Sequence, residues 1–292
     1  MSINNHPVVQ VPAVYHRRIG DITVTVISDG HSELPFWPYY ELSEDIGKEM
    51  LQADFETSPI VLNTNCFIVN IQGRITLIDA GLGMGIGTAL SNIKAAGIDV
   101  QDIATVLLTH IHPDHTNGLI HTDGTRVFPN AEVVVQETEF SYWMDSSNIS
   151  NPSDRQEAAN FQMAQAAFAP YESRIRTFTS SEKEPVPGIQ AIAAPGHTPG
   201  HTVYLIESKG EKLLIWGDVI HNTSIQLQRP EEKVIMDVCP EVAVETRIRI
   251  LDFAAGEQLL VTGMHLHFPG FSYIRKDKDR YVLLPEKWKP SL

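Results

Sequence analysis

The sequence predicts a single layered α/β domain over residues 1–292, and three observations carry that expectation. Short apolar runs, such as 103–108 (IATVLL), have the make-up of strands buried on both faces. Segments long enough for helices alternate with such runs along the chain. The residues able to do chemistry fall where the predicted strands end. Composition agrees, because 42% apolar and 20% charged residues describe an ordinary globular chain. A chain of 292 residues also buries most of its apolar surface without staples. No internal repeat, low-complexity tract or Ser/Gly/Pro linker divides it.

Each element has its own warrant. Residues 21–28 (DITVTVIS) alternate as a strand and are expected to stop at the turn pair Asp29-Gly30. Pro35 and Pro38 break the stretch 34–40 (LPFWPYY) into a loop that displays its aromatic rings. The runs 60–71 and 74–79, separated by Gln72-Gly73, form a hairpin. Gly81, Gly83, Gly85 and Gly87 make a bend before a helix over 88–96, which Gly97 stops. Strands follow at 103–108 and 133–135, then helices over 137–145 and 154–168. Further strands are expected at 189–193, 202–207 and 212–216. A helix over 241–255 sets apolar Val242, Ile248 and Leu251 against Glu241, Glu245 and Arg249. A last strand is expected at 258–262.

Charge narrows the partners. Against 22 Lys+Arg stand 36 Asp+Glu, a net charge of -14 that repels phosphate backbones and anionic lipid. Neither nucleic acid nor a membrane is therefore an expected partner, and no run approaches the ~18 apolar residues of a membrane span. Residues 1–16 lack a basic stretch followed by an apolar run, so no signal peptide is expected and the cytoplasm is the default location. Cys66 and Cys239 cannot build a disulfide framework or a Cys-rich zinc site, and both are expected to be buried free thiols.

Seven of the twelve histidines lie in three clusters, each after a predicted strand. Residues two apart on an extended segment point the same way, so His110 and His112 can reach one ion. Pro113 turns the chain and leaves Asp114 and His115 together at a helix start. These side chains exceed what one tetrahedral ion with an open position needs, and two ions divide them naturally. In Pro195-Gly-His-Thr-Pro-Gly-His201, Gly196 and Gly200 permit a tight loop that sets His197 at the mouth of the preceding strand. His201 starts the next strand and is expected to be a hydrogen-bonded structural residue. Asp218 ends a buried strand, where an acid needs a counter-charge that a dication supplies. Either His265 or His267 completes the set. His110, His112 and His197 then hold one ion, Asp114, His115 and that last histidine the other, with Asp218 bridging.

Taken in order, His110-x-His112-x-Asp114-His115, Gly196-His197, Gly217-Asp218 and His265 resemble the metallo-β-lactamase superfamily. Asp79, in Asp79-Ala-Gly81, matches the family's early acidic position, which supports a ligand. The resemblance runs from about residue 21 to 284 and implies an αββα sandwich with the site at one edge. Within the superfamily, residues 111–118, 195–202, 216–218, 237–238 and 265–270 are similar to methyl parathion hydrolase and related lactonases. The last of these runs favours His265 over His267. The resemblance also implies a homodimer, and the aromatic loop within residues 1–58 is expected to contribute to the pocket or to a dimer contact, since exposed aromatic loops mark interfaces.

The implied activity is a binuclear metal-dependent hydrolase that opens acyl-homoserine or aromatic lactones and aryl esters, with secondary organophosphate triester hydrolysis. Two dications, zinc first and Mn, Co or Fe by the same N/O ligation, acidify a shared water that attacks the small-molecule substrate. Asp218, with Asp114 beside it, or a water on the second ion is the expected proton carrier. Pocket candidates are Phe36, Trp37, Ile86, Trp143, Phe161, His221 and Phe268. Two of them depart from the phosphotriesterase pattern: Ile86 replaces an aromatic pocket residue, and His221 stands where an aliphatic one is expected. A dedicated phosphotriesterase, a glyoxalase II-type thioesterase and a β-lactamase are competing readings. A nuclease would suit a basic surface, and a metal-binding protein without catalysis is the reading from outside enzymology.

Overall fold

The computed structural model describes residues 10–34, 39, 41–56, 58–150 and 154–292. Thirteen strands in these residues form two sheets. The first contains β1 (Val14–Ile19), β2 (Ile22–Leu34), β3 (Ile60–Ile71), β4 (Arg74–Ile78), β5 (Ile103–Leu107), β6 (Glu132–Gln136) and β7 (Ile175–Phe178), in that spatial order. β1 to β4 are antiparallel neighbours, and β4 to β7 run parallel. The second comprises β8 (Ile189–Ala193), β9 (Thr202–Ser208), β10 (Glu211–Ile215), β11 (Leu260–Thr262), β12 (Ser272–Asp277) and β13 (Arg280–Pro285). Here only the β10–β11 pair is parallel.

The two sheets face each other across a shared apolar layer. Val24, Val26, Phe67, Val69, Leu107 and Val134 of the first meet Tyr204, Ile206, Leu213, Ile215 and Leu260 of the second. Helices cover both outer faces. On the first sheet lie α2 (Ala89–Ala95), α4 (Glu137–Met144) and α5 (Arg155–Phe168), which contribute Ile93, Trp143, Phe161 and Phe168. On the second lies α7 (Pro240–Gly256), through Ile250, Leu251 and Ala254. Two further helices, α1 (Glu44–Ala53) and α6 (Thr223–Gln226), pack together through Leu51 and Ile225. The one-turn helix α3 (Pro113–Thr116) follows β5. This is the αββα layering. Among the described residues no helix is long and apolar enough to cross a membrane.

Several expectations need correction. The strand from residue 21 does not stop at Asp29-Gly30, which is a bulge in the β2–β3 ladder; β2 continues to Leu34. The Asp29 side chain turns inward and accepts from the Leu82 and Ala89 amides, so it pins the glycine bend instead of ending a strand. Residues 258–262 do not form the last strand, because β12 and β13 follow and close the second sheet. β1, α1 and β7 carry no strong sequence signal and were not expected. Cys66 is buried, but Cys239 is exposed just ahead of α7. The aromatic residues Phe36 and Trp37 lie outside the described residues.

Candidate metal centre

The chemistry-bearing residues gather at one edge of the sandwich because every strand that precedes them ends there. Asp79 follows β4, the His110–His115 loop follows β5, the loop with His197 follows β8, Asp218 follows β10 and His265 follows β11. Clustering of this kind beyond the carboxyl ends of strands is a property of layered α/β architecture. Backbone conformation completes it. Asp79 adopts a left-handed φ of 57°, and Gly217, at 57°, brings the chain so close to His201 that a Cβ would strike the imidazole. Gly196 meets the backbone of α7 in the same way.

Three groups of ligand-type atoms result, each within 4.8 Å of one another: His110, His112, His197 and Asp218; Asp114, His115, Asp218 and His265; and Asp79, His110 and His115, in which Asp79 is already taken up by His115 Nδ1. In the first, His112 Nδ1 lies 3.1 Å from His110 Nε2 and 2.8 Å from His197 Nε2. In the second, His115 Nε2 and His265 Nε2 lie 3.4 and 3.6 Å from Asp114 Oδ2. Asp218 belongs to both, with Oδ2 3.3 Å from His197 Nε2 and 3.0 Å from His265 Nε2, and Oδ1 3.3 Å from His115 Nε2. His267, by contrast, is largely exposed, its Nδ1 2.8 Å from Asn63 and its Nε2 3.6 Å from Glu56.

The outward-facing nitrogens are fixed by acceptors. His115 Nδ1 meets Asp79 Oδ2 at 2.6 Å, His197 Nδ1 meets Asp237 Oδ1 at 2.8 Å, and His265 Nδ1 meets the Asn63 carbonyl at 2.7 Å. With a single proton placed on each of those nitrogens, the convergent one is free to ligate. Without an ion, burial is outweighed by Asp218 and the neighbouring carboxylates, which raise His115, His265 and His197, the last to about 9. Asp79 is itself held by the amide and hydroxyl of Thr109. Behind Asp237 stands the buried guanidinium of Arg247 at 3.6 Å. Asn65 bonds the carbonyls of Met264 and Leu266 and so anchors the loop that carries His265.

This donor set fits divalent cations. His115 Nε2, Asp218 Oδ1 and both ring nitrogens of His221 are buried without a hydrogen-bond partner, an arrangement costly for a protein to keep unless a ligand uses it. Burial tends to raise the Asp218 carboxyl, but His115, His265 and His110 outweigh it and hold it well below the usual range. Burial and the neighbouring imidazoles push His110 and His112 well below their ordinary value, which favours the neutral, ligating form. His201 accepts from the Asp218 amide through Nε2 and faces the Ala194 carbonyl through Nδ1, and burial lowers it to about 3.

The pocket candidates are placed less uniformly. His221 Nε2 lies 3.3 Å from Asp218 Oδ2, and its ring stacks on His265 at 5.4 Å. Trp143 is buried with its ring edge-on to His112 at 5.2 Å. Phe161 is buried behind Trp143 at 4.7 Å, on the side of the core. Ile86 and Phe268 are exposed at 73% and 37%. Sequence reasoning missed Glu139, Arg247, Thr109 and the Asn63 carbonyl. Arg247 sits amid the apolar face of α7, where a charge signals a buried contact; the others carry no such mark.

The metallo-beta-lactamase superfamily model matches residues 59–240. Among solved structures, a hydrolase of the beta-lactamase superfamily, AbOPH, superposes with a TM-score of 0.90 at 32% identity, covering 96% of this chain and 99% of that one. AidC, a dizinc quorum-quenching lactonase in complex with its product N-hexanoyl-L-homoserine, superposes with a TM-score of 0.89 at 23% identity, covering 95% and 99%, a likeness of fold. The N-acyl homoserine lactonase AttM of Agrobacterium fabrum is 27% identical over 131 residues, 43% of this chain and 44% of that protein. The chain matches between 38% and 63% of the length of its curated relatives.

Proposed function

The chain belongs to the metallo-β-lactamase superfamily, and we propose that within it this protein is a two-ion hydrolase of lactones and aryl esters, on the methyl parathion hydrolase and lactonase side of the family. The observation that carries this reading is Asp218, one carboxylate shared by two complete sets of ligand atoms. A pair of divalent ions, zinc first among them, supplies Lewis acidity and an acidified water there. The kinship with lactonases supports the substrate class.

The protein's own residues supply the rest. The carboxylates Asp218 and Asp114 lie at the reacting centre, and Asp218 can take up and pass on a proton through its oxygens. His221, whose amide donates to Gln226 Oε1, holds its Nε2 3.3 Å from Asp218 Oδ2 and can donate to a substrate oxygen there. Trp143 backs the site beside His112, and exposed Ile86 and Phe268 offer apolar surface to an acyl or aromatic group.

The test is kcat/KM of the zinc-loaded protein on an acyl-homoserine lactone, an aromatic lactone, an aryl ester and a dialkyl aryl phosphate, side by side. A lactone value of about 10⁴ M⁻¹s⁻¹ or more, with the triester far lower, is the expected result. Replacing His221→Leu removes one donor worth about 1–3 kcal/mol, so lactone turnover falls roughly ten- to hundredfold while triester turnover is spared. A triester preference in the unaltered protein would overturn the assignment.

A further inference from the structure

Glu139, on the first turn of α4, takes no part in the ligand set, yet it is fully buried and touches both loops that supply the three-histidine group. Its Oε1 accepts from the Ile111 amide at 2.8 Å, the residue between His110 and His112. Its Oε2 accepts from the Gly200 amide at 2.8 Å, in the loop that carries His197. Oε1 also accepts from Trp143 Nε1 at 2.8 Å, and that indole lies edge-on to His112. The contact is close by construction, since a Cβ at Gly200 would collide with the Glu139 amide.

These two loops come from different sheets. The chain ahead of the first loop and the strand after the second are tied by the Thr202 amide on the Thr109 carbonyl and by the Tyr204 hydroxyl on the Leu108 carbonyl. Beyond those ties the histidines project on loop backbone, and Glu139 joins one loop to the other from outside the ligand set, whose own His112 Nδ1 and His197 Nε2 stand 2.8 Å apart. A carboxylate suits this task better than an amide, because both oxygens face N–H donors and an amide offers one oxygen only. The N-terminal turn of α4 also favours a negative charge.

We propose that Glu139 is the positioning residue that sets the spacing of His110, His112 and His197, and hence the affinity of that half of the site for its ion. The proposal rests on the two-ion reading of the site. Glu139→Gln keeps the shape but turns an amide hydrogen toward one of the three donors. Loss of an outer partner of a metal site typically weakens the ion about 10- to 100-fold. Among the described residues no hydrogen bond or ion pair joins Glu139 to Asp114, His115 or His265, and that group keeps its ion.

The experiment needs no substrate. Zinc retained per chain is measured across graded concentrations of a competing chelator, for the unaltered full chain and for Glu139→Gln. A parallel cobalt-loaded sample reports, through its visible spectrum, which ion remains. The expected result is selective early loss of one ion, leaving the spectrum given by His197→Ala. Unchanged retention, or equal loss of both ions, overturns the proposal. Should Glu139→Gln fail to fold, Trp143→Phe removes one of the three donors, and a smaller loss confined to the same ion is expected; unaltered retention there overturns the proposal as well. An unaltered chain that holds fewer than two ions refutes the site reading itself, whereas two ions in both proteins refutes the role of Glu139 alone.

Discussion

Arg247 gives the sharpest test of how the fold supports the site. It is 1% exposed on α7, donates through Nε to the Val219 carbonyl at 3.1 Å, and through Nη1 to the carbonyls of Pro230 and Glu232 at 2.9 and 2.7 Å. Its Nη2 stands 3.6 Å from Asp237, which fixes His197. Arg247→Met preserves the length of the side chain but strands three carbonyls and leaves Asp237 without its buried counter-charge. Each buried acceptor left unpaired costs about 1–3 kcal/mol, and removing one partner of a buried ionic contact about 3–5 kcal/mol. Both figures describe the loss of one guanidinium and overlap instead of adding, so the total is expected at about 3–5 kcal/mol. At roughly 2–4 °C per kcal/mol for a chain of this size, Tm falls by roughly 6–20 °C. Urea titration and thermal melting of the zinc-free protein measure this directly. Arg247→Lys offers a single ammonium in place of a planar fork and is expected to recover no more than one of the three carbonyl bonds. A loss below about 1 kcal/mol, or complete recovery by lysine, would refute the reasoning.

Two further outcomes follow from the same geometry. Asp79→Asn can keep its oxygen on His115 Nδ1 only by turning its amide toward the Thr109 N–H, so the zinc-free protein should lose about 1–3 kcal/mol in urea titration. The ion at His115 should be held roughly 10- to 100-fold more weakly in a chelator competition, and unchanged affinity would show that Asp79 does not orient the imidazole. Removal of both ions by a chelator should lower Tm by roughly 10–20 °C, since each ion present at a hundred times its Kd stabilises the folded state by about 2.7 kcal/mol. Calorimetry before and after zinc is restored reads the change, and an unaltered Tm would mean that the cluster holds no ion in solution.

The strands that carry the site were legible because each is a short, apolar run with an abrupt polar end. The hairpin of β3 and β4, the strand β5 and the helix α7 all fall close to where the periodicity places them. Elements without that contrast were not legible. β7 is half-buried, α1 is polar on most of its surface, and β12 and β13 alternate weakly at the rim of the second sheet. Asp29-Gly30 misleads for a different reason: a turn pair and a bulge ask for the same residues, and only pairing with β3 distinguishes them.

The sequence by itself determined the ligand types and their local grouping, because His110, His112, Asp114 and His115 are covalent neighbours whose directions follow from a few dihedral angles. It determined the family for the same reason, through spacings that the backbone cannot alter. Tertiary structure alone decided which of those groups meet. Convergence of five strand ends at one edge makes Asp218 common to both groups, and the Asn63 carbonyl orients His265 while His267 turns to the surface. It also decided the supporting residues. Glu139, Arg247 and Asp79 act across gaps of about 10 to 61 residues in sequence, and such contacts exist only once the chain has folded.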